Sequence, residues 1–201
     1  MNHAITLYGL GPTRSSRCQW TLLELGLEFE FIEDRSLIGS DELKPHHPQA
    51  KFPAIVIDGE SLFESAAICT HLCDLVPAAG LLGAAGTRAR ALHNQWTAFC
   101  LSEMEAYLWH TAKHTSFYPE EKRVPAVVDA NSGEYRSAAK VLNDVLSESP
   151  FLVDGQFSVT DIFVGWAVNW GRRMGQNEGF DNLQSYLDRL FAREHCTLNP
   201  E

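Results

Sequence analysis

The spacing of apolar side chains changes several times along this chain, and each change marks an element. Ile5 to Tyr8 is a short β-rich run that stops at Gly9. The loop Leu10-Gly11-Pro12-Thr13 leads into Arg14 to Leu25, where Trp20, Leu22, Leu23 and Leu25 supply apolar positions and Gly26 marks the stop of a helix. Phe29 to Ile32 predicts a second strand. Asp41 to Leu43 begins a short helical or irregular piece closed by Pro45 and Pro48. From Pro53 to Phe63 two apolar runs flank Asp58-Gly59, a hairpin signature, and a helix follows from Ser65 to about Leu75. The resulting order, βαβαββα, implies an α/β unit with a mixed sheet flanked by helices.

Two small-residue clusters come next, Pro77-Ala78-Ala79-Gly80 and Gly83-Ala84-Ala85-Gly86. They predict a linker over 78–86 between a first domain at 1–77 and a second at 87–201. Beyond it the spacing turns helical. Thr87 to about His114 reads as one helix or two, and Pro119 to about Leu146 contains another, with a break near Asn131-Ser132-Gly133 left open. Thr160 to Met174 and Asn182 to Arg193 supply two more. Ser158 and Asp161 have the spacing of a capping box, with Phe157 ahead of them as a staple. The run Ile162, Phe163, Val164, Trp166, Ala167, Val168 predicts a helix buried on most sides.

Charge and cysteine usage narrow the function classes. A formal net charge of -10 over 201 residues argues against nucleic acid as the main partner, because phosphate binding needs a basic surface. A small anion held by a few local cations and helix ends stays open. No apolar stretch approaches the roughly 20 residues of a membrane span, so no membrane partner is expected. The N-terminus lacks a basic region with an apolar core and a cleavage site. Five cysteines are an odd number without a framework, and Cys69 and Cys73 lie one helical turn apart, so disulfides are not expected and a cytoplasmic location is.

The chemistry concentrates between Lys51 and Ile68. A proline at the start of a strand removes a ladder donor, and a cis Phe52-Pro53 bond would leave the preceding main chain free to pair with a ligand. Glu64-Ser65 then opens a helix, where a hydroxyl and unpaired amides can accept a carboxylate. Together they describe a socket for the backbone of a small acidic peptide. The competing interpretation is an ordinary edge proline followed by an ordinary N-cap.

Lys51-Phe52-Pro53-Ala54-Ile55 with Glu64-Ser65-Ala66-Ala67-Ile68 resembles the paired glutathione-binding motifs of the cytosolic glutathione transferase superfamily. Phe151 through Asp161 is similar to its C-terminal capping motif, and Leu183 through Tyr186, Arg189 and Arg193 match the helix that follows. The resemblance covers nearly the whole chain and is of bacterial type, with no class assigned. It implies a thioredoxin-like N-terminal domain with a four-stranded sheet and an all-helical C-terminal domain forming the acceptor-substrate site. Glutathione is then the co-substrate, an apolar electrophilic small molecule the second substrate, and detoxification the general role. Carried over by position, Phe52 pairs its main chain with the cysteine of glutathione before a cis Pro53. Ser65 binds the γ-glutamyl carboxylate, Glu64 faces the γ-glutamyl amino group, and Lys51 meets the glycine carboxylate. A homodimer is implied as well.

Such chemistry needs thiolate, and a hydroxyl donating to sulfur at a helix N-terminus stabilises it. The segment Leu7 to Arg17 lies where the family keeps this group. Lining up Leu7-Tyr8-Gly9 and Arg17 puts Thr13 at the position where many members have serine or cysteine. Ser15 is the alternative if the loop winds differently, with Ser16 behind it. Arg14 would add positive potential near the sulfur, or be an exposed first-turn charge. Tyr8 reads as a strand residue, and Cys18, inside the helix, as a small core residue rather than a nucleophile.

Trp96, Cys100, Glu103, Tyr107, His110 and His114 fall near one stripe at helical spacing. Tyr107, His110 and His114 are its acceptor-site candidates, against the alternative that the stripe is buried core or interface. Ligands spread over several turns cannot meet one ion, so no metal is indicated. Three functions stay in view: transfer of glutathione to an electrophile, glutathione-dependent disulfide or peroxide reduction or isomerisation, and a non-catalytic binding or assembly module on the same fold.

Overall fold

The computed structural model describes residues 3–198 and Pro200. They divide into two compact units: the first runs to Ala85 and takes back the segment from Arg193, and the second runs from Gly86 to Ala192.

In the first unit the strands are β1 (Ile5–Tyr8), β2 (Glu30–Ile32), β3 (Ala54–Ile57) and β4 (Glu60–Phe63). They form one sheet in the order β2-β1-β3-β4, with β1 parallel to β2 and antiparallel to β3, and β3 antiparallel to β4. Helices α1 (Ser15–Glu24) and α2 (Ser65–Leu75) pack against each other. This mixed four-stranded sheet with its helices is the thioredoxin-like arrangement.

The hairpin forms where Asp58-Gly59 predicts it. Both turn residues take positive φ, 51° and 88°, as a two-residue loop matched to strand twist requires. The middle helix of the expected order is absent as an α-helix. Arg35–Leu37 is a single 3₁₀ turn, and the chain from Asp41 to Gln49 is a series of turns. Pro45 and Pro48 lack the amide donors a helix would need there. That stretch still buries Leu37, Leu43 and Ala50, which pack with Ala54 against Tyr8, Ile32 and Phe52. It thereby fixes the loop in front of Pro53.

The second unit is helical: α3 (Arg88–Phe99), α4 (Ala106–Ala112), α5 (Pro125–Glu148), α6 (Val159–Arg173) and α7 (Asp181–Phe191). A π-helical segment, Cys100–Glu105, joins α3 to α4, and a second, Lys113–Phe117, follows α4, so the expected long helix is one run with two widened turns. α5 starts at Pro125, within the stretch expected to contain a helix, and passes unbroken through Asn131-Ser132-Gly133. A mid-helix glycine costs about 1 kcal/mol. Burial of Tyr135, Ala138, Ala139, Leu142 and Leu146 along the same helix outweighs that.

α6 is buried on most sides and carries the capping box in full. The Ser158 amide and hydroxyl donate to Asp161 Oδ2 at 2.9 and 3.1 Å. Leu152 N (3.1 Å) and the Tyr186 hydroxyl (3.0 Å) donate to its Oδ1. Phe157 lays its ring edge-on to Phe151, 5.8 Å between centroids. The last helix ends at Phe191, not Arg193, and residues expected in the helical part return to the first unit. There Arg193 bonds Glu24, and the Thr197 hydroxyl donates to the Ser16 carbonyl at 2.8 Å.

Candidate functional site

The loop from β1 to α1 is held tightly. Gly9 N donates to Ile32 O at 3.1 Å, and Gly11 N donates to Glu33 Oε1 at 2.9 Å. The Gly11-Pro12 bond is cis. A Cβ on Gly9 would stand 2.6 Å from Ser15 Cβ and 2.7 Å from Phe31 Cε2, so only glycine lets the chain pass this closely over the helix start.

Arg14 is the N-cap of α1, and Thr13 stands just ahead of it, half-buried. The Thr13 hydroxyl donates to the Leu10 carbonyl at 2.5 Å, accepts from Ser15 N at 3.2 Å and lies 3.0 Å from Ser15 Oγ. Ser15 itself is fully buried, and its hydroxyl also accepts from Leu10 N at 3.3 Å. Ser16 is buried too. Of the three hydroxyls, Thr13 therefore has the open side, and Ser15 is its brace.

The Phe52-Pro53 bond is cis, with Pro53 buried and Phe52 half-buried. Lys51 is exposed and donates from Nζ to Gln49 Oε1 at 2.8 Å. Behind it His47 is buried, its ring 4.9 Å from Phe63; burial holds its pKa below the ordinary histidine range. Glu64 takes φ +69°, a left-handed conformation that costs a non-glycine residue and is retained where surroundings over-determine it. It ends β4 and starts α2 with no side chain capping that helix. Ser65, the first helical residue, is 4% exposed, and Arg17 Nη1 donates to its hydroxyl at 3.3 Å.

Beneath this surface lie two thiols. Cys18 Sγ and Cys69 Sγ are 3.9 Å apart across the α1–α2 contact, both buried, and burial pushes the Cys18 thiol well above the usual cysteine range. A buried thiol held protonated is not a nucleophile.

The helical stripe does not stay on one face. Trp96 and Cys100 are buried, whereas Glu103 and His110 are exposed and Tyr107 and His114 half-buried. The widened turn at Cys100–Glu105 inserts extra backbone per turn and rotates every later side chain out of phase. His114 is engaged locally: Val124 N donates to its Nδ1 at 3.1 Å, and its ring meets Tyr118 edge-on. Among the described residues no three His, Cys, Asp or Glu side chains are grouped to hold a metal ion. No described helix is long and apolar enough to cross a membrane.

Comparison with known families decides the lineage. The model for the N-terminal domain of glutathione S-transferases matches residues 13–80, and the C-terminal domain model matches residues 103–194. The chain belongs to the glutathione S-transferase family. It is 26% identical over 208 residues to the glutathione S-transferase-like protein gedE of Aspergillus terreus, covering 94% of this chain and 91% of the relative. It is 28% identical over 154 residues to the disulfide-bond oxidoreductase YfcG of Escherichia coli, covering 73% and 69%. Among solved structures, the ternary complex of BphK, a bacterial glutathione S-transferase, superposes with a TM-score of 0.84 at 25% identity over 95% of each chain.

In this member of the family, Thr13, Arg14, Ser15, Phe52, Pro53, Glu64 and Ser65 all lie on the first unit, at or just ahead of the starts of α1, β3 and α2. One residue of that region escaped sequence reasoning. Arg17 served only to align the helix, yet it is fully buried beside Ser65. A signal was available: Arg17 shares its helix face with Trp20 and Thr21, both buried, so its charge points inward.

Proposed function

We propose that this chain is a glutathione transferase that stabilises the glutathione thiolate and directs it at an electrophilic, apolar small molecule. The single observation supporting this most is the uncapped start of α2 at Ser65, beside a cis Phe52-Pro53 bond. The donors and acceptors fit an extended acidic peptide: main-chain groups at Phe52, a hydroxyl and amide at Ser65, and an accepting carboxylate at Glu64. When bound, glutathione supplies the sulfur nucleophile.

The protein's part is binding and electrostatics. Phe52 pairs its main chain with the central residue of the peptide. Ser65 donates to the γ-glutamyl carboxylate, reinforced by the positive end of α2. Glu64 takes the γ-glutamyl amino group. Lys51 reaches the glycine carboxylate after releasing Gln49. The Thr13 hydroxyl turns its proton from the Leu10 carbonyl to the sulfur, while Ser15 N keeps the Thr13 oxygen in place. Arg14 adds positive potential at the same helix end. Each unit of pKa lowering is worth about 1.4 kcal/mol and raises the thiolate fraction at neutral pH several-fold. Tyr107 and His110 are the side chains offered to the acceptor, with His114 held by its bond from Val124. The working form is a twofold homodimer.

Conjugation of glutathione to an activated aryl halide tests the reading. Turnover that Thr13→Ala reduces supports it, and no conjugation with any activated aryl halide counts against it. A second reading, glutathione-dependent disulfide reduction, is favoured by the similarity to the E. coli oxidoreductase. Turnover of a mixed disulfide without aryl halide conjugation would select it. Calorimetry showing no glutathione binding would leave only the non-catalytic module.

A further inference from the structure

The fully buried Arg17 lies across the α1–α2 contact from the start of α2, and its guanidinium donates to Ser65 Oγ at 3.3 Å. We propose that Arg17 is a positioning residue for the γ-glutamyl carboxylate of glutathione, committing the Ser65 hydroxyl to donate outward and adding a fixed positive charge beneath the carboxylate. The inference rests on the glutathione-binding reading above and deepens it.

The argument starts from donor and acceptor counts. A hydroxyl has one proton and two lone pairs, whereas a guanidinium only donates. The bond from Arg17 Nη1 therefore occupies an oxygen lone pair and leaves the Ser65 proton for another acceptor. A hydroxyl polarised by a cation is also a stronger donor than an isolated one. Without Arg17 the Ser65 side chain could rotate and bond to a nearby backbone carbonyl, as serines in first turns do.

The charge matters separately. Arginine stays protonated at every working pH, and a cation at 0% exposure is little screened by water. Its sign matches that of the uncapped N-terminus of α2, so both repel cations and favour an anion at Ser65. Arg17 also follows Thr13 by four residues, so the group for the sulfur stands just ahead of α1 and the brace for the carboxylate site in its first turn.

Calorimetry separates this role from a structural one. Two probes are used: glutathione, and its analogue with the γ-glutamyl α-carboxylate converted to an amide. Wild type should prefer glutathione by about tenfold or more, the scale of a lost charge-assisted bond. Arg17→Met should remove most of that preference while leaving affinity for the amide within about threefold. In steady state it should raise KM for glutathione with kcat at saturation nearly unchanged, because both ground and transition states use the carboxylate. Ser65→Ala combined with Arg17→Met should lose less than the sum of the two single losses.

Equal weakening of both probes, or an unchanged preference, overturns the proposal. So does strict additivity of the two substitutions. Should Arg17→Met unfold, the guanidinium resonance of Arg17 in wild type takes its place. It must shift on adding glutathione and stay still on adding the amide; an unmoved resonance overturns the proposal. If wild type binds neither probe, the glutathione reading itself falls, an outcome distinct from binding without discrimination.

Discussion

Arg193 grips Glu24 at two points, Nε to Oε1 at 2.8 Å and Nη2 to Oε2 at 2.7 Å, joining residues 169 apart in sequence. Trp20 Nε1 donates to the same carboxylate at 2.9 Å. The Glu24 side chain is 8% exposed and that of Arg193 32%, so the pair is sheltered on one side only. It ties the segment after α7 to the helix whose start carries Thr13.

Arg193→Ala should therefore destabilise the first unit by about 1–2 kcal/mol, less than a fully buried pair because Arg193 is partly solvated. Burial raises the Glu24 pKa, but the bonds from Arg193 and Trp20 outweigh it, leaving the group below its ordinary 4.5. A depressed carboxyl contributes its stability above the unfolded pKa and loses it as pH falls through the folded value. Urea unfolding of wild type against Glu24→Gln should show the wild-type advantage at neutral pH shrinking on acidification below about 4.5.

Thr13→Ala should lower kcat by about 10- to 100-fold, the range for a positioned group aimed at developing charge, with glutathione Kd within about threefold. Thr13→Ser should retain most activity, since the hydroxyl survives. Ultraviolet titration of the bound thiolate should show its pKa rising in the alanine variant. An unchanged rate would move the assignment to another hydroxyl.

Gly9→Ala places a methyl group against Ser15 and Phe31, at 2.6 and 2.7 Å. Ser15 has no room to yield, because it is fully buried at the helix start. Overpacking of this kind costs about 1–3 kcal/mol. The midpoint of thermal unfolding should fall, and turnover should fall further than the loss of folded protein explains, because the displaced loop carries Thr13.

Asp161 is the hub of the second unit, accepting from Leu152 N, Ser158 N, the Ser158 hydroxyl and the Tyr186 hydroxyl. Burial raises its pKa to about 6 in spite of those bonds. A raised folded pKa means that stability from this group is complete below the unfolded value and is lost as pH rises through about 6. Asp161→Asn should be unresponsive across that window. The gap between wild type and Asp161→Asn, followed by denaturant titration, should thus change in wild type's disfavour from pH about 4 to about 7. Asp161→Ala should cost about 3 kcal/mol or more by stranding four donors.

Much of the architecture was legible in local pattern. Asp58-Gly59 between apolar runs allows little but a hairpin, Ser158 with Asp161 allows little but a helix start, and Phe52-Pro53 at the start of a strand is the cis bond its position suggested. These signals work because each depends on backbone geometry within a few residues. The middle helix failed because prolines at 45 and 48 outweighed a brief apolar spacing. The stripe from Trp96 to His114 failed because π-turns break the helical period, and no side-chain pattern announces them.

By itself, then, the amino-acid sequence determined most of the elements, the family and the order of the Phe52-Pro53 and Glu64-Ser65 segments, since those are properties of neighbouring residues. Only the tertiary structure decided that Ser15 is sealed in while Thr13 is not, that α5 runs through its glycine, and that Arg193 returns to Glu24. It also decided that Arg17 sits under Ser65, 48 residues away. Burial and pairing across such separations exist only once the chain has packed, because they depend on which surfaces meet and not on what each residue prefers alone.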